Sequence, residues 1–318
     1  MTDNDSGFGH YAGLPTAEVH ELSDDGWPPD SAAVAWRISA IHWTTTPRPI
    51  GEVFDAFFER ADTSRVTAIV IGPWAGPIDE SSKGVIDRLI GEADRLPALR
   101  SLFLGAIPRD ESQISWIRQS DITPLLKTFP KLERLDVRGG EGLALQPVRH
   151  ESLRTLRIET GGLDGAVTRA VTASHLPALE HLELWIGIED YGRTTTISDL
   201  DPILRGDRLP ALRHLGLQDS EIQDDIAAAV ATAPVVARLE SLALSMGVLT
   251  DTGAEALLTG QPLTHLRRLD LHHHYLSDAM MRRLYEALAG VEVDLSEQEE
   301  PDGDEDDDEV WHYVAVSE

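Results

Sequence analysis

The sequence predicts an α/β solenoid, a curved parallel sheet on a concave face with helices on the convex face, and three observations carry that expectation. The pattern LxxLxL recurs along most of the chain, amphipathic helical segments fill the intervals between copies, and Pro-x-Leu leads precede several of them. At 318 residues the chain exceeds ordinary single-domain size. That leaves two domains or one elongated array, and the repeats decide for the array.

The strict copies are Leu99-Leu102-Leu104, Leu132-Leu135-Val137, Leu153-Leu156-Ile158, Leu179-Leu182-Leu184, Leu212-Leu215-Leu217, Leu239-Leu242-Leu244 and Leu266-Leu269-Leu271. Weaker copies at Ala33-Trp36-Ile38, Val66-Ile69-Ile71 and Leu288-Val291-Val293 bring the expectation to ten rows, at steps of 21 to 33 residues. One LxxLxL is common in any protein, but so many at bounded spacing are the mark of leucine-rich repeats, whose period is roughly 20 to 29. Alternation within the last three positions gives one short strand per row, with the apolar pair turned inward and the residue between them outward.

Helices are expected at Glu80 to Arg95, Val167 to Ala173, Ser198 to Leu204, Asp224 to Ala233, Asp251 to Leu258 and Ser277 to Leu288, where apolar residues recur at three and four. Thr250 or Asp251 can cap the helix whose apolar face includes Ala254, Leu257 and Leu258, and Leu276-Ser277-Asp278 opens the next one similarly. Pro97, Pro130, Pro177 and Pro210 end one segment and feed the next strand. A full helix in each unit resembles the ribonuclease-inhibitor type of repeat, which implies a right-handed α/β horseshoe. Residues 1–32 are expected as an N-terminal segment, partly disordered or capping, and residues 33–296 as the repeat domain. Residues 297–309 read as an acidic flexible loop and residues 310–318 as a return strand closing the exposed end of the array.

Composition narrows the function. With 27 basic and 55 acidic residues the formal charge is -28, a field that repels phosphate backbones, so nucleic acid is not an expected partner and basic or polar protein surfaces are. There is no run of about 18 apolar residues and no leader pattern at the start, which predicts a cytoplasmic protein away from membranes. The absence of cysteine excludes thiol nucleophiles and cysteine-ligated metals. No GxxxxGK[ST], strand-embedded GxGxxG, HExxH or GxSxG is present, so no cofactor is expected. The run from Asp302 fails as a calcium loop, with Asp307 where a glycine is needed and Tyr313 where a bidentate Glu is needed.

Longer blocks carry a family resemblance. VAWRIS, VIGPW, ISWIRQSDITPLL, RIETGGL, LPALEHLELWIG, LRHLGLQDSEI, LRRLDLHHHYL, VEVDLSEQEEPD and YVAVSE, in this order from Ala33 to Glu318, resemble an uncharacterised bacterial leucine-rich-repeat family first named after a Salmonella locus and frequent in actinobacteria. The resemblance brings no catalytic residue and no cofactor. It implies a neighbourhood of enzymes resembling radical-SAM, ATP-grasp and sulfatase-like proteins, and hence a scaffold or substrate-holding role in a modification pathway.

The face to search is the outward side of the strands. It offers Arg134, Asp136, Arg157, Glu159, His181, Glu183, Trp185, His214, Gln218, Asp270 and His272 as candidate binding residues. A sheet face that merely meets water is also polar, so they count collectively. Trp185 is the anchor candidate if exposed, and tryptophans are as often covered by neighbouring loops. The leading expectation is a non-catalytic scaffold for a protein or peptide. The alternative is a metal-dependent enzyme or accessory subunit in which Asp270, His272 and His274, alternating after one strand, converge on an ion, with His214 two rows away. Histidines in such turns equally bond carbonyl groups.

Overall fold

Each copy of the repeat folds as a strand because its paired apolar side chains must face one core while the residue between them turns to the opposite face. The computed structural model describes residues 8–19, 26–40, 48–74, 80–303 and 310–317. Its strands are β1 (His10–Tyr11), β2 (Leu14–Glu18), β3 (Ala35–Ile38), β4 (Ala68–Ile71), β5 (Ser101–Leu104), β6 (Arg134–Arg138), β7 (Thr155–Glu159), β8 (His181–Gly187), β9 (His214–Ser220), β10 (Ser241–Ala243), β11 (Arg268–Asp270) and β12 (Glu292–Asp294). Its helices are α1 (Ile50–Arg60), α2 (Lys83–Gly91), α3 (Thr123–Thr128), α4 (Gly165–Ala173), α5 (Ile197–Leu204), α6 (Gln223–Val230), α7 (Asp251–Thr259) and α8 (Asp278–Ala287). The strands form one sheet in chain order. Only the β1–β2 pair is antiparallel, and every later pair is parallel. Strand, helix and adjacent parallel strand repeated along the chain make a leucine-rich-repeat solenoid.

Register follows the leucines. Leu102, Leu135, Leu156, Leu182, Leu215, Leu242 and Leu269 stand opposite one another along the sheet, and Leu104, Val137, Ile158, Leu184 and Leu217 form a parallel column. All are buried, and Val53, Phe57, Leu89, Leu125, Val171, Ile226 and Leu284 from the helices pack in the same cluster. Burying each such side chain contributes about 1.5–3 kcal/mol, and a one-residue slip would turn a whole column to solvent. At the N-terminal end an aromatic plug closes the core, with Trp36 5.5 Å from both Trp27 and Phe57 between ring centroids.

Neighbouring rows are also clamped at their helix starts. Asp224, in the first turn of α6, accepts from the Thr250 amide at 2.8 Å and the Thr250 hydroxyl at 2.6 Å, while Thr250 caps α7. Asp251 in turn accepts from the Ser277 amide at 2.8 Å and hydroxyl at 2.7 Å, while Ser277 caps α8. A carboxylate in the first turn suits the helix dipole and holds the next row's cap in place.

Several expectations need correction. The parallel stack begins one row early, at β2, where Ala17 pairs with Trp36. The last row is Val293 and Leu295, not Leu288-Val291-Val293, because Leu269 pairs with Val293; Leu288 instead lies buried at the end of α8. Helices α1 and α3 fall outside the segments expected to be helical. Residues 310–317 are not a return strand: Trp311 alone bridges Asp302, and the segment runs across the ends of several strands instead of closing the last one. Of the N-terminal segment, residues 8–19 form the β1–β2 hairpin, whereas residues 1–7 and 20–25 lie outside the described residues. So do residues 304–309 of the acidic run. Among the described residues, no helix is long and apolar enough to cross a membrane.

Candidate functional site

The helices pack on one side of the sheet, so the other side displays the residues between the leucines. Parallel sheets usually carry a layer on both faces. Among the described residues, two segments near the ends of the chain lie on the second face.

The first cover is the β1–β2 hairpin. Tyr11 packs with Ala35, Ala68, Val70, Phe103 and Ala106, and Phe8 stands edge-on to Phe103 at 5.7 Å. The Tyr11 hydroxyl donates to Asp136 at 2.8 Å. Burial, reinforced by the Asp136 carboxylate, holds that phenol well above its ordinary range and therefore protonated. The second cover is Val310–Ser317. Its Ala315 and Val316 pack on Ile114, Trp185 and Met246. The conditional anchor Trp185 is thus only 6% exposed and already covered.

Between the covers lies a charged window. Arg134 donates to Asp136 from Nε at 2.6 Å and Nη2 at 3.1 Å. Arg138 Nε donates to Glu159 at 2.6 Å, and Arg157 lies 2.8 Å from Glu159 and 2.9 Å from Glu183. Glu183 also accepts from the Trp185 indole at 3.2 Å and lies 3.2 Å from His181 Nε2. His181 and His214 stack across two strands with ring centroids 3.9 Å apart, and His214 Nδ1 lies 2.6 Å from the Ser241 hydroxyl. Cations and carboxylates therefore alternate across β6 to β8, and the stacked imidazoles of His181 and His214 carry the row on to β9.

Charge states follow from this neighbourhood. Burial alone would raise the Glu183 carboxyl, but Arg157 and then His181 outweigh it and hold it well below the usual carboxylate range. Burial alone would lower Arg157, and the Glu159, Glu183 and Asp136 carboxylates raise it instead. Burial, with His181 beside it, pushes His214 down to about 4, against the pull of Glu183 and Asp270. His214 is neutral near pH 7.

Gly216 explains part of this packing. A Cβ there would lie 2.9 Å from Glu183 Cγ, so the missing side chain lets Glu183 lie across β9. Gln218, expected on this face, is buried and donates to the Ser245 hydroxyl at 2.7 Å.

The triplet Asp270, His272 and His274 does not converge. Asp270 and His272 do meet, at 2.7 Å, but His273 takes a left-handed conformation with φ of 53°, which ends the strand alternation before His274. His274 is fully buried, with Nε2 3.1 Å from the Leu295 carbonyl and Nδ1 accepting from the Leu276 amide at 3.2 Å. Both ring nitrogens are spent on backbone. Among the described residues, two groups bring three potential ligand atoms within 4.8 Å of one another: His181 with Glu183 and His214, and Asp270 with His272 and Asp294. Each already holds a cation, Arg157 on Glu183 and Arg268 between Asp270 and Asp294.

Sequence reasoning passed over Tyr11 and Asp219. Asp219 is fully buried at the end of β9 with φ of 54°, and its Oδ1 accepts from the Val316 amide at 2.9 Å. The available signal was an acid directly after an alternating strand, at the position that Met246 and His273 occupy in the next two rows.

Comparison with known proteins places the chain. No family model matches it, and no curated protein is similar to it. Among solved structures, an internalin of Listeria monocytogenes is similar at 16% identity with a TM-score of 0.38, over 74% of this chain and 56% of the internalin chain. A protein of Bacteroides fragilis is similar at 31% identity with a TM-score of 0.74, over 78% of this chain and 70% of that one. At that identity and coverage, the chain belongs to the same family as the Bacteroides fragilis protein.

Proposed function

We propose that the protein is a non-catalytic scaffold that holds a protein or peptide on the charged window between the two covers. The observation that supports it is the strip of partly exposed charges between the covers, Arg134, Arg157, His181 and Arg268, each fixed in advance by pairing with a carboxylate of the sheet instead of being free to collapse on a ligand. Pre-paired charges on a rigid sheet lose little conformational freedom on binding, which favours recognition of a polar or basic surface. The family named after a Salmonella locus, which the sequence blocks resemble, adds a setting: a bacterial modification pathway in which partner enzymes meet a held substrate.

Thr155 sits half-buried between Arg134 and His181 in the register, so Thr155→Glu places an acid in the window without breaking a pair. Affinity capture from the native host, quantified by mass spectrometry, is expected to lose at least one partner by about fivefold or more, which is about 1 kcal/mol. Glu286→Lys, on the exposed side of α8, is expected to lose none. Identical partner sets for wild type and Thr155→Glu would overturn the reading.

A further inference from the structure

Four successive rows turn off the sheet through the same uncommon conformation. Asp219, Met246, His273 and Glu297 follow the inward Leu217, Leu244, Leu271 and Leu295 by two residues, and their φ angles are 54°, 69°, 53° and 61°. A non-glycine residue is strained there, and such strain collects where a ligand is held. The corner amides still continue the ladder, from Asp219 to the Ser245 carbonyl at 2.9 Å, from Met246 to His272 at 2.8 Å and from His273 to Ser296 at 3.0 Å. What the corners leave over forms a track along the lip of the sheet, perpendicular to the strands.

Val310–Ser317 lies in that track, and most of its bonds are made by its main chain. The Tyr313 carbonyl lies 3.0 Å from His273 Nε2 and accepts from the Tyr275 hydroxyl at 2.9 Å. The Ala315 amide donates to the Met246 carbonyl at 2.8 Å, and the Val316 amide to Asp219 at 2.9 Å. The Ser317 carbonyl accepts from the Ser115 hydroxyl at 2.5 Å, near enough to Gly161 that a Cβ there would lie 2.6 Å from it. Its side chains add the patch of Ile114, Trp185 and Met246, where Ala315 and Val316 rest partly buried, together with a buried Val314 and His312 edge-on to Tyr275 at 4.4 Å. The fit is unfinished underneath: Asp219 Oδ2, next to the oxygen that takes the Val316 amide, is buried with no hydrogen-bond partner. A segment belonging permanently to the core would be expected to satisfy it.

We propose that this track is a binding site for an extended peptide segment with a small apolar residue over Trp185, and that Val310–Ser317 is its built-in occupant, exchanged for a partner's segment on binding. Main-chain bonds supply the affinity and one shallow apolar patch the selectivity, as in strand-addition recognition. The inference names a partner class for the scaffold reading and rests on it.

The test uses the full chain. Ala315→Pro removes the amide that bonds Met246 while leaving every other residue in place. A fluorescein-labelled peptide copying Val310–Ser317 is titrated against wild type and variant by fluorescence anisotropy. The variant is expected to bind saturably and wild type at least about tenfold more weakly, since its own segment competes at a high effective concentration. A scrambled peptide is expected not to bind. In unaltered protein, the Ala315 and Val316 amides are expected to exchange hydrogen at least about a hundredfold faster than those of β9 and β10, through local opening. A variant that melts like wild type and binds no peptide, equal binding by both proteins, loss of the fold in Ala315→Pro, or equal protection of the two sets of amides would each overturn the proposal. Failure here with partners still lost in Thr155→Glu would leave the scaffold reading standing.

Discussion

The two covers on the concave face sit on similar ground and are held in opposite ways. The β1–β2 hairpin meets an apolar floor of Val70, Phe103 and Ala106, and its buried Tyr11 bonds a carboxylate that Arg134 also holds. Val310–Ser317 meets strained corners and a buried acid, Asp219, with one oxygen unpartnered and no cation beside it. The first cover pairs its own buried hydroxyl with a carboxylate, whereas the second leaves one oxygen of the acid beneath it without a partner. Two stretches of chain on one surface can therefore have different standing, one as fold and one as ligand.

That contrast can be broken or sharpened by substitution. The largest effect is expected at Phe103→Ala, which empties the floor under the hairpin and should lower stability by about 3 kcal/mol in denaturant titration. Loss below about 1 kcal/mol would show the first cover to be as loose as the second. Tyr11→Phe leaves the buried Asp136 with Arg134 alone and should cost about 1–2 kcal/mol in the same measurement. Ala315→Pro should cost no more than about 1 kcal/mol, since it removes one hydrogen bond from a half-exposed segment. A larger loss would place the second cover in the core as well.

The smallest effect at acid pH, and the most informative trend, is expected from Asp219→Asn. Burial holds the Asp219 carboxyl well above its ordinary range, the Val316 amide only partly opposing it. Its folded pKa thus exceeds its unfolded value, and the native state binds more protons than the unfolded one between the two. Stability attributable to this group is then full below about pH 4 and falls as pH rises from there. Wild type should track Asp219→Asn near pH 4 and fall behind it progressively toward pH 8. Parallel stability curves across that range would mean that Asp219 is not held protonated.

Much of the fold was legible because its two periods are simple. Leucines at fixed spacing announced the core columns, and Thr250 and Ser277 announced their helix starts, which side-chain caps then formed. The first row escaped notice because Leu14-Pro15-Thr16-Ala17-Glu18-Val19 replaces leucine by alanine and carries a proline. The last row was misplaced because Val291, Val293 and Leu295 alternate, and the frame that forms has Gly290 where the pattern asks for leucine, so the other frame fits the sequence better. At the site, the charged residues of β6 to β9 came out on the expected face, since alternation alone decides that. His274 did not, because one left-handed residue cancels alternation and no local rule required it of a histidine. The covering of Trp185 was beyond reach of pattern reading: its cover lies far along the chain, and a main-chain bond such as Ala315 to Met246 leaves no trace in composition.

The clamps between helix starts, Asp224 on Thr250 and Asp251 on Ser277, bear on more than stability. They bind row to row, so that the spacing of side chains across the sheet is fixed near the interstrand distance of about 4.8 Å. On the scaffold reading proposed above, a face of rows so spaced would act as a ruler. A partner whose charges recur at that interval would meet several rows in step, and one with another cadence would drift out of phase after two or three.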